Sequence, residues 1–137
     1  MLSQTLRELK SGKINEDVVV PISQLRTLTE RLQALEKGRE IILANFGHAG
    51  NGNLHVNILY DAQSPKQKKE AEDCMRAVFE IVLELGGSLS GEHGIGLSKR
   101  EFVTMEVPPS SLRTMQAIKK LFDPRNILNP DKNLPPP

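Results

Sequence analysis

The sequence predicts an α+β fold in which helices cover one face of an antiparallel sheet. Three observations predict it. An Asn51-Gly52 pair stands between two β-prone arms, Ile41 to Phe46 and Leu54 to Asp61, and Asn-Gly is the strongest short-range hairpin signal because the turn needs positive φ. Two other segments carry apolar residues at helical spacing: Leu25, Leu28, Leu32 and Leu35, then Ala71, Cys74, Met75, Val78, Val82 and Leu85. Asp17-Val18-Val19-Val20 before the first helix and Ser88-Leu89-Ser90 after the second supply the remaining strands.

Each element has its own signal. Met1 to Gly12 reads as a short amphipathic segment with Leu2, Leu6 and Leu9 at helical spacing. The first strand leaves the sheet at Pro21, and Ser23 is placed to cap a helix running to Lys37. Ser64-Pro65-Lys66-Gln67 has the capping-box form, with Ser at the cap and Pro at the first helical position. Gly86-Gly87 stops that helix. The order β-α-β-β-α-β is the split βαβ, or ferredoxin-like, arrangement. A C-terminal helical extension follows. Ser98 to Met105 forms a short helix, Pro108-Pro109 breaks it, and Ser110-Ser111 caps a longer one through Leu112, Met115, Ile118 and Phe122, closed by Asp123-Pro124. The domain therefore divides into an N-terminal segment (1–12), a ferredoxin-like core (13–91), and an active-site loop with a helical tail (92–137).

With 137 residues the chain suffices for one domain with a real core. Eighteen basic residues against seventeen acidic ones, no Trp and few aromatics argue against a nucleic-acid partner. Cys74 is alone, which excludes an internal disulfide, and it falls on the apolar stripe of the second helix. No apolar run reaches the roughly 18 residues of a membrane span, and no signal-peptide core opens the chain. The expected setting is a reducing compartment, the cytoplasm or the mitochondrial matrix.

The chemistry lies in two constellations. With Asn51 and Gly52 as a two-residue loop, His48 stands directly opposite His55, β-carbons about 4.5–5.5 Å apart, and Asn57 projects from the same face. Two imidazoles so placed can converge on one ion; the alternative is a pair of histidines decorating a solvated hairpin. In Gly91-Glu92-His93-Gly94-Ile95-Gly96 the glycines suggest backbone brought close to a ligand. Glu92 would complete a His-His-carboxylate set with His48 and His55, a donor set suited to zinc, manganese or iron with positions left open. His93 would be free as a base that removes a hydroxyl proton. The alternative for this loop is a surface turn ending in a helix-capping carboxylate.

Taken together, Gly47-His48-Ala49-Gly50-Asn51-Gly52-Asn53-Leu54-His55, Ser90-Gly91-Glu92-His93-Gly94-Ile95-Gly96 and Leu121-Phe122-Asp123-Pro124-Arg125-Asn126-Ile127-Leu128-Asn129-Pro130 resemble the C-terminal domain of FAD-linked oxidases of the vanillyl-alcohol oxidase type. Within that family the chain is similar to D-lactate dehydrogenase, D-2-hydroxyglutarate dehydrogenase and the glycolate oxidase flavin subunit. The resemblance implies hydride transfer from a small D-2-hydroxy acid to FAD. It implies His48, His55 and Glu92 as ligands of a divalent metal, zinc or manganese, and His93 as the active-site base. It further implies Asn57 and Lys13 at the substrate and Asn129 beside the flavin. Two positions depart from the family pattern: Asn51 stands where Asp is common, and Asp131 where Gly is common. The family's FAD-binding domain lies N-terminal to this region, and no such domain is expected within these residues. The chain alone is accordingly expected to hold no FAD firmly, to be inactive, and to self-associate through its site face as a homo-oligomer. The alternative reading is a non-catalytic ferredoxin-like module that binds a metal or ligand.

Overall fold

The computed structural model describes residues 9–135, which divide into two compact units, one running through Gly91 and the other from Glu92. The helix expected through Leu2 and Leu6 lies outside the described residues.

The first unit is built on three antiparallel strands, β1 (Gly12–Val19), β2 (Ile42–His48) and β3 (Asn53–Tyr60), in the order β1-β3-β2. Strand β1 begins well before the β-branched run, because Gly12 to Glu16 pair with Tyr60 to Val56 along the whole length of the central strand. Strand β3 is buried on both sides: Val56, Asn57, Ile58 and Leu59 are all inaccessible to solvent.

Helices α1 (Leu25–Glu36) and α2 (Pro65–Glu84) cover one side of the sheet, as the α+β reading expects. Helix α1 packs on β2, and α2 packs across β1 and β3. Leu28 and Leu32 of α1 and Ala71, Cys74, Val78, Phe79 and Val82 of α2 are fully buried, with Val18, Val56 and Ile58 of the sheet completing the core. Residues that alternate along a strand face opposite ways, so Val56 and Ile58 project away from the face that carries His55 and Asn57.

The helix ends follow sequence chemistry to different degrees. Ser64 Oγ accepts the Gln67 amide at 3.3 Å, and Pro65 occupies the first turn. Gln67 Oε1 reaches past the cap and accepts from the Asp61 amide at 2.8 Å, fastening the strand exit to the helix entry. Ser23 does not cap α1. A 3₁₀ turn, Ile22–Gln24, closed by Gln24 N donating to Pro21 O at 2.7 Å, takes up Ser23 and leaves Gln24 at the cap without a side-chain bond.

Two expectations about the sheet are corrected. The β2–β3 connection is not a two-residue turn: Ala49–Asn51 form a 3₁₀ turn ending in Gly52 at φ 73°, so His48 pairs with Asn53 and His55 with Phe46. A type I′ turn needs positive φ at both central residues, and Asn51 is not among the residues with positive φ. The expected fourth strand reduces to one bridge on the free edge of β1, where Val19 N donates to Ser88 O at 3.2 Å and Ser88 N to Val19 O at 2.9 Å. Beyond it, Ser88 Oγ bonds locally with the carbonyl and amide of Ser90 at 3.4 and 3.5 Å, and such side-chain bonds compete with a ladder.

In the second unit a 3₁₀ turn, Arg100–Phe102, runs into α3 (Val103–Glu106), and α4 (Pro109–Phe122) follows the proline pair. Pro108 is the cap, which puts Ser110 and Ser111 inside the first turn rather than before it. Asp123 ends α4 and orders the tail: its carboxylate accepts the amides of Ile127 (3.0 Å) and Leu128 (2.9 Å) and pairs with Lys119. That Lys119 hydrogen bond, helped by the two amides, holds the Asp123 carboxyl below the usual value of 3.8 against the opposing effect of burial. Asn133 clasps Gly96, accepting its amide through Oδ1 at 3.0 Å and donating its own amide to Gly96 O at 2.9 Å.

Candidate metal and substrate site

The site begins with a parity rule applied to β2 and β3. His48 pairs with Asn53 and Phe46 pairs with His55, so the two histidines are diagonal neighbours on one face rather than directly opposed. The diagonal still brings them together. Their ring centroids are 5.7 Å apart, edge to face, and one ring nitrogen of each lies within 4.8 Å of the other. Phe46 packs its ring 5.7 Å from His55 on the second side. His48 is exposed and His55 partly buried, so one imidazole is held while its neighbour stands at the rim.

Below the histidines the same face is buried and polar. Asn57 is inaccessible; its Nδ2 donates to Ala44 O at 2.9 Å, and its Oδ1 has no hydrogen-bond partner. Asn53, 6% exposed, is in the same state, with Nδ2 donating to Asp17 Oδ1 at 2.5 Å and Oδ1 unmatched. A buried amide oxygen without a donor is costly. Both asparagines lie on the face that carries the imidazoles.

Strand β1 completes this face with Asp17, fully buried and directly opposite His55 in the register. Asn15 and Lys13 follow on the same face at the period of two, Lys13 opposite Leu59 at the far end of the strand. Sequence reasoning missed Asp17, Asn53 and Phe46. Each belongs to the site only through the pairing of β3 with its two neighbours, and no local pattern announces that register.

Glu92 and His93 open the second unit, one and two residues past Gly91, and both are exposed. Gly91 is fastened to the first unit's sheet by its amide, which donates to Asp17 O at 3.3 Å. Its lack of a side chain has a different reason from the one expected. A β-carbon there would lie 2.0 Å from Asn53 Nδ2 and 2.9 Å from Asp17 Oδ1, so Gly91 makes room for that pair. Asn129, at φ 49°, lines a cleft of about 760 Å³ within the second unit, together with Phe122, Lys119, Lys120 and Lys132.

The histidine pair and the two buried asparagines thus lie on one face of an antiparallel sheet whose other face carries the helices. The family described as FAD linked oxidases, C-terminal domain, matches residues 2–133, and this chain belongs to it. The chain is 37% identical over 127 residues to glycolate oxidase subunit GlcD of Bacillus subtilis (strain 168), covering 93% of this chain and 27% of that protein. It is 37% identical over 120 residues to the mitochondrial D-lactate dehydrogenase [cytochrome] of Arabidopsis thaliana, covering 88% of this chain and 21% of that protein. With D-2-hydroxyglutarate dehydrogenase of Stutzerimonas stutzeri (strain A1501) it shares 33% identity over 120 residues, 85% of this chain and 26% of that protein. The chain thus spans about a quarter of the length of these curated relatives and corresponds to their C-terminal domain. The family is one of flavoprotein oxidoreductases.

Proposed function

We propose that this domain supplies the substrate side of an FAD-dependent oxidation of a small D-2-hydroxy acid to the 2-oxo acid, with His48, His55 and Glu92 holding a divalent ion, zinc or manganese. The observation that carries the reading is the diagonal His48–His55 pair, a nitrogen of each within 4.8 Å. Glu92 enters by chain continuity, next to a glycine tied to Asp17, the residue opposite His55. Two imidazoles and a carboxylate form an intermediate-softness donor set that leaves positions open, and these residues fit such an ion.

A bound FAD would supply the hydride acceptor, and a divalent ion held by His48, His55 and Glu92 would supply Lewis acidity toward the substrate hydroxyl. The chain's own residues do the rest. His93 takes the hydroxyl proton as general base. Asn57 would act from the buried floor of the histidine-bearing face, where the substrate would sit, and Lys13 would offer its ammonium to the substrate carboxylate. Asn129 would lie beside the flavin; it lines the second unit's cleft with Phe122, Lys119, Lys120 and Lys132. An FAD-binding domain is the required partner, and the setting is cytoplasm or mitochondrial matrix.

The test is metal content after dialysis against zinc and manganese. About one ion per chain is expected, lost in His55→Ala and in Glu92→Ala; a metal-free wild-type chain overturns the site. In a protein that joins this domain to its FAD-binding partner, His93→Ala should retain the ion and lose turnover of a 2-hydroxy acid. Undiminished turnover removes His93 from the role of base. Ion binding with no turnover in the joined wild type would favour the non-catalytic module instead.

A further inference from the structure

Asp17 is a carboxylate with no access to solvent, an arrangement that destabilises a fold unless its environment compensates. Its surroundings hold it in place. Asn53 Nδ2 donates to Oδ1 at 2.5 Å, Ser90 Oγ donates to Oδ2 at 3.3 Å, and the Gly91 amide donates to the backbone carbonyl at 3.3 Å. Gly91 carries no side chain because one would displace the Asp17–Asn53 pair. The carboxylate stands opposite His55 in the β1–β3 ladder, with Oδ1 4.0 Å from His55 Nδ1. That separation is longer than a hydrogen bond, and it sets the carboxylate beside Nδ1 rather than Nε2.

We propose that Asp17 is a positioning residue for His55: its buried carboxylate keeps the ring proton on Nδ1 and so presents Nε2, with its lone pair, to the ligand face beside His48. A histidine that ligates an ion through one nitrogen typically donates the other N–H to a carboxylate or carbonyl, which fixes tautomer and ring orientation. Asn53 and Ser90 in turn fix the carboxylate, one at each oxygen, so the aim of His55 is set by two strand-borne side chains, Asp17 and Asn53, and by Ser90 on the returning segment. A structural role alone, tying residues 88–91 to the edge of β1, would need the carboxylate but would place no demand on which imidazole nitrogen carries the proton. The assignment of an ion to this face rests on the function proposed above; the tautomer of His55 does not.

The experiment uses the full 137-residue chain. Long-range ¹⁵N–¹H correlation spectra of the metal-free protein, taken where its imidazoles are neutral, report which nitrogen of His55 is protonated. Nδ1–H is expected in the wild type, and Nε2–H overturns the proposal with no variant needed. In Asp17→Asn, nearly equal in shape, the tautomer should shift toward Nε2–H, and zinc affinity measured by calorimetry should fall about 10- to 100-fold. Unchanged tautomer and affinity in a folded Asp17→Asn overturn the proposal as well. Should the variant not fold, Ser90→Ala, which leaves the carboxylate and removes one tether, should weaken zinc binding by a smaller factor without moving the proton. If the wild type binds no zinc, the ion reading fails while the tautomer still decides the role of Asp17.

Discussion

Gly52 shows how one residue can set the geometry of this site. At φ 73° it closes the 3₁₀ turn after β2, and its carbonyl accepts the Val20 amide at 3.0 Å. A β-carbon there would meet Val20 O at 2.0 Å. Left-handed backbone alone costs an L-residue about 1–2 kcal/mol, so Gly52→Ala should destabilise by at least about 2 kcal/mol. A urea midpoint unchanged from wild type would refute this. Asp131 presents the reverse case. It sits at φ 59°, a backbone that Gly adopts without strain. Asp131→Gly should be neutral or stabilising by up to about 1 kcal/mol; clear destabilisation would mean that the side chain contributes. Cys74 is fully buried, and burial pushes its thiol up to about 11. It should react with a thiol reagent only after denaturant is added, and rapid native labelling would contradict its place in the core.

At the scale of the element, the helix ends and the central strand carry the stability. Ser64→Ala removes the acceptor for the Gln67 amide and should cost about 1 kcal/mol, read from the urea midpoint. Phe79 is the largest fully buried side chain, and Phe79→Ala should cost about 3–5 kcal/mol by leaving a cavity. The tail after α4 depends on a charge. The folded-state Asp123 carboxyl is held below 3.8, so the stabilisation it gives the tail is present above that value and is lost as pH falls through the lower, folded value. The Ile127 and Leu128 amide resonances should therefore titrate together with a midpoint below 3.8. A midpoint at or above the ordinary carboxyl value would mean that the Lys119 pairing contributes nothing.

For the molecule as a whole, the exposed apolar side chains of the second unit matter most. Leu121 and Phe122 are 75% and 79% exposed, and Ile127 and Leu128 about 60%, an unusual density of large apolar surface for so small a unit. Together with the imidazole-bearing sheet face, this surface favours the proposal that the chain self-associates when its FAD-binding partner domain does not cover it. Sedimentation velocity should reveal a concentration-dependent species, and a clean monomer throughout would count against it. No described helix is long and apolar enough to cross a membrane.

Much of the fold was determined by the sequence alone, because its signals are local. Helical spacing located α1 and α2, the Ser64-Pro65 pair marked where α2 begins, and the proline pair separated α3 from α4. His48 and His55 share a face under either turn geometry, since both registers differ by an even number of residues. The tertiary structure decided what depends on distant pairing. Whether the histidines stand opposed or diagonal follows from the φ of Asn51, and the length of β1 follows from how far β3 extends beside it. Asp17 and Asn53 become part of the site only when β1 and β3 lie side by side, and Gly91 needs to be glycine only because those two side chains fill the space beside it. Local propensity fixes the element; hydrogen bonds between residues far apart in the chain fix the register, and the register decides which side chains meet.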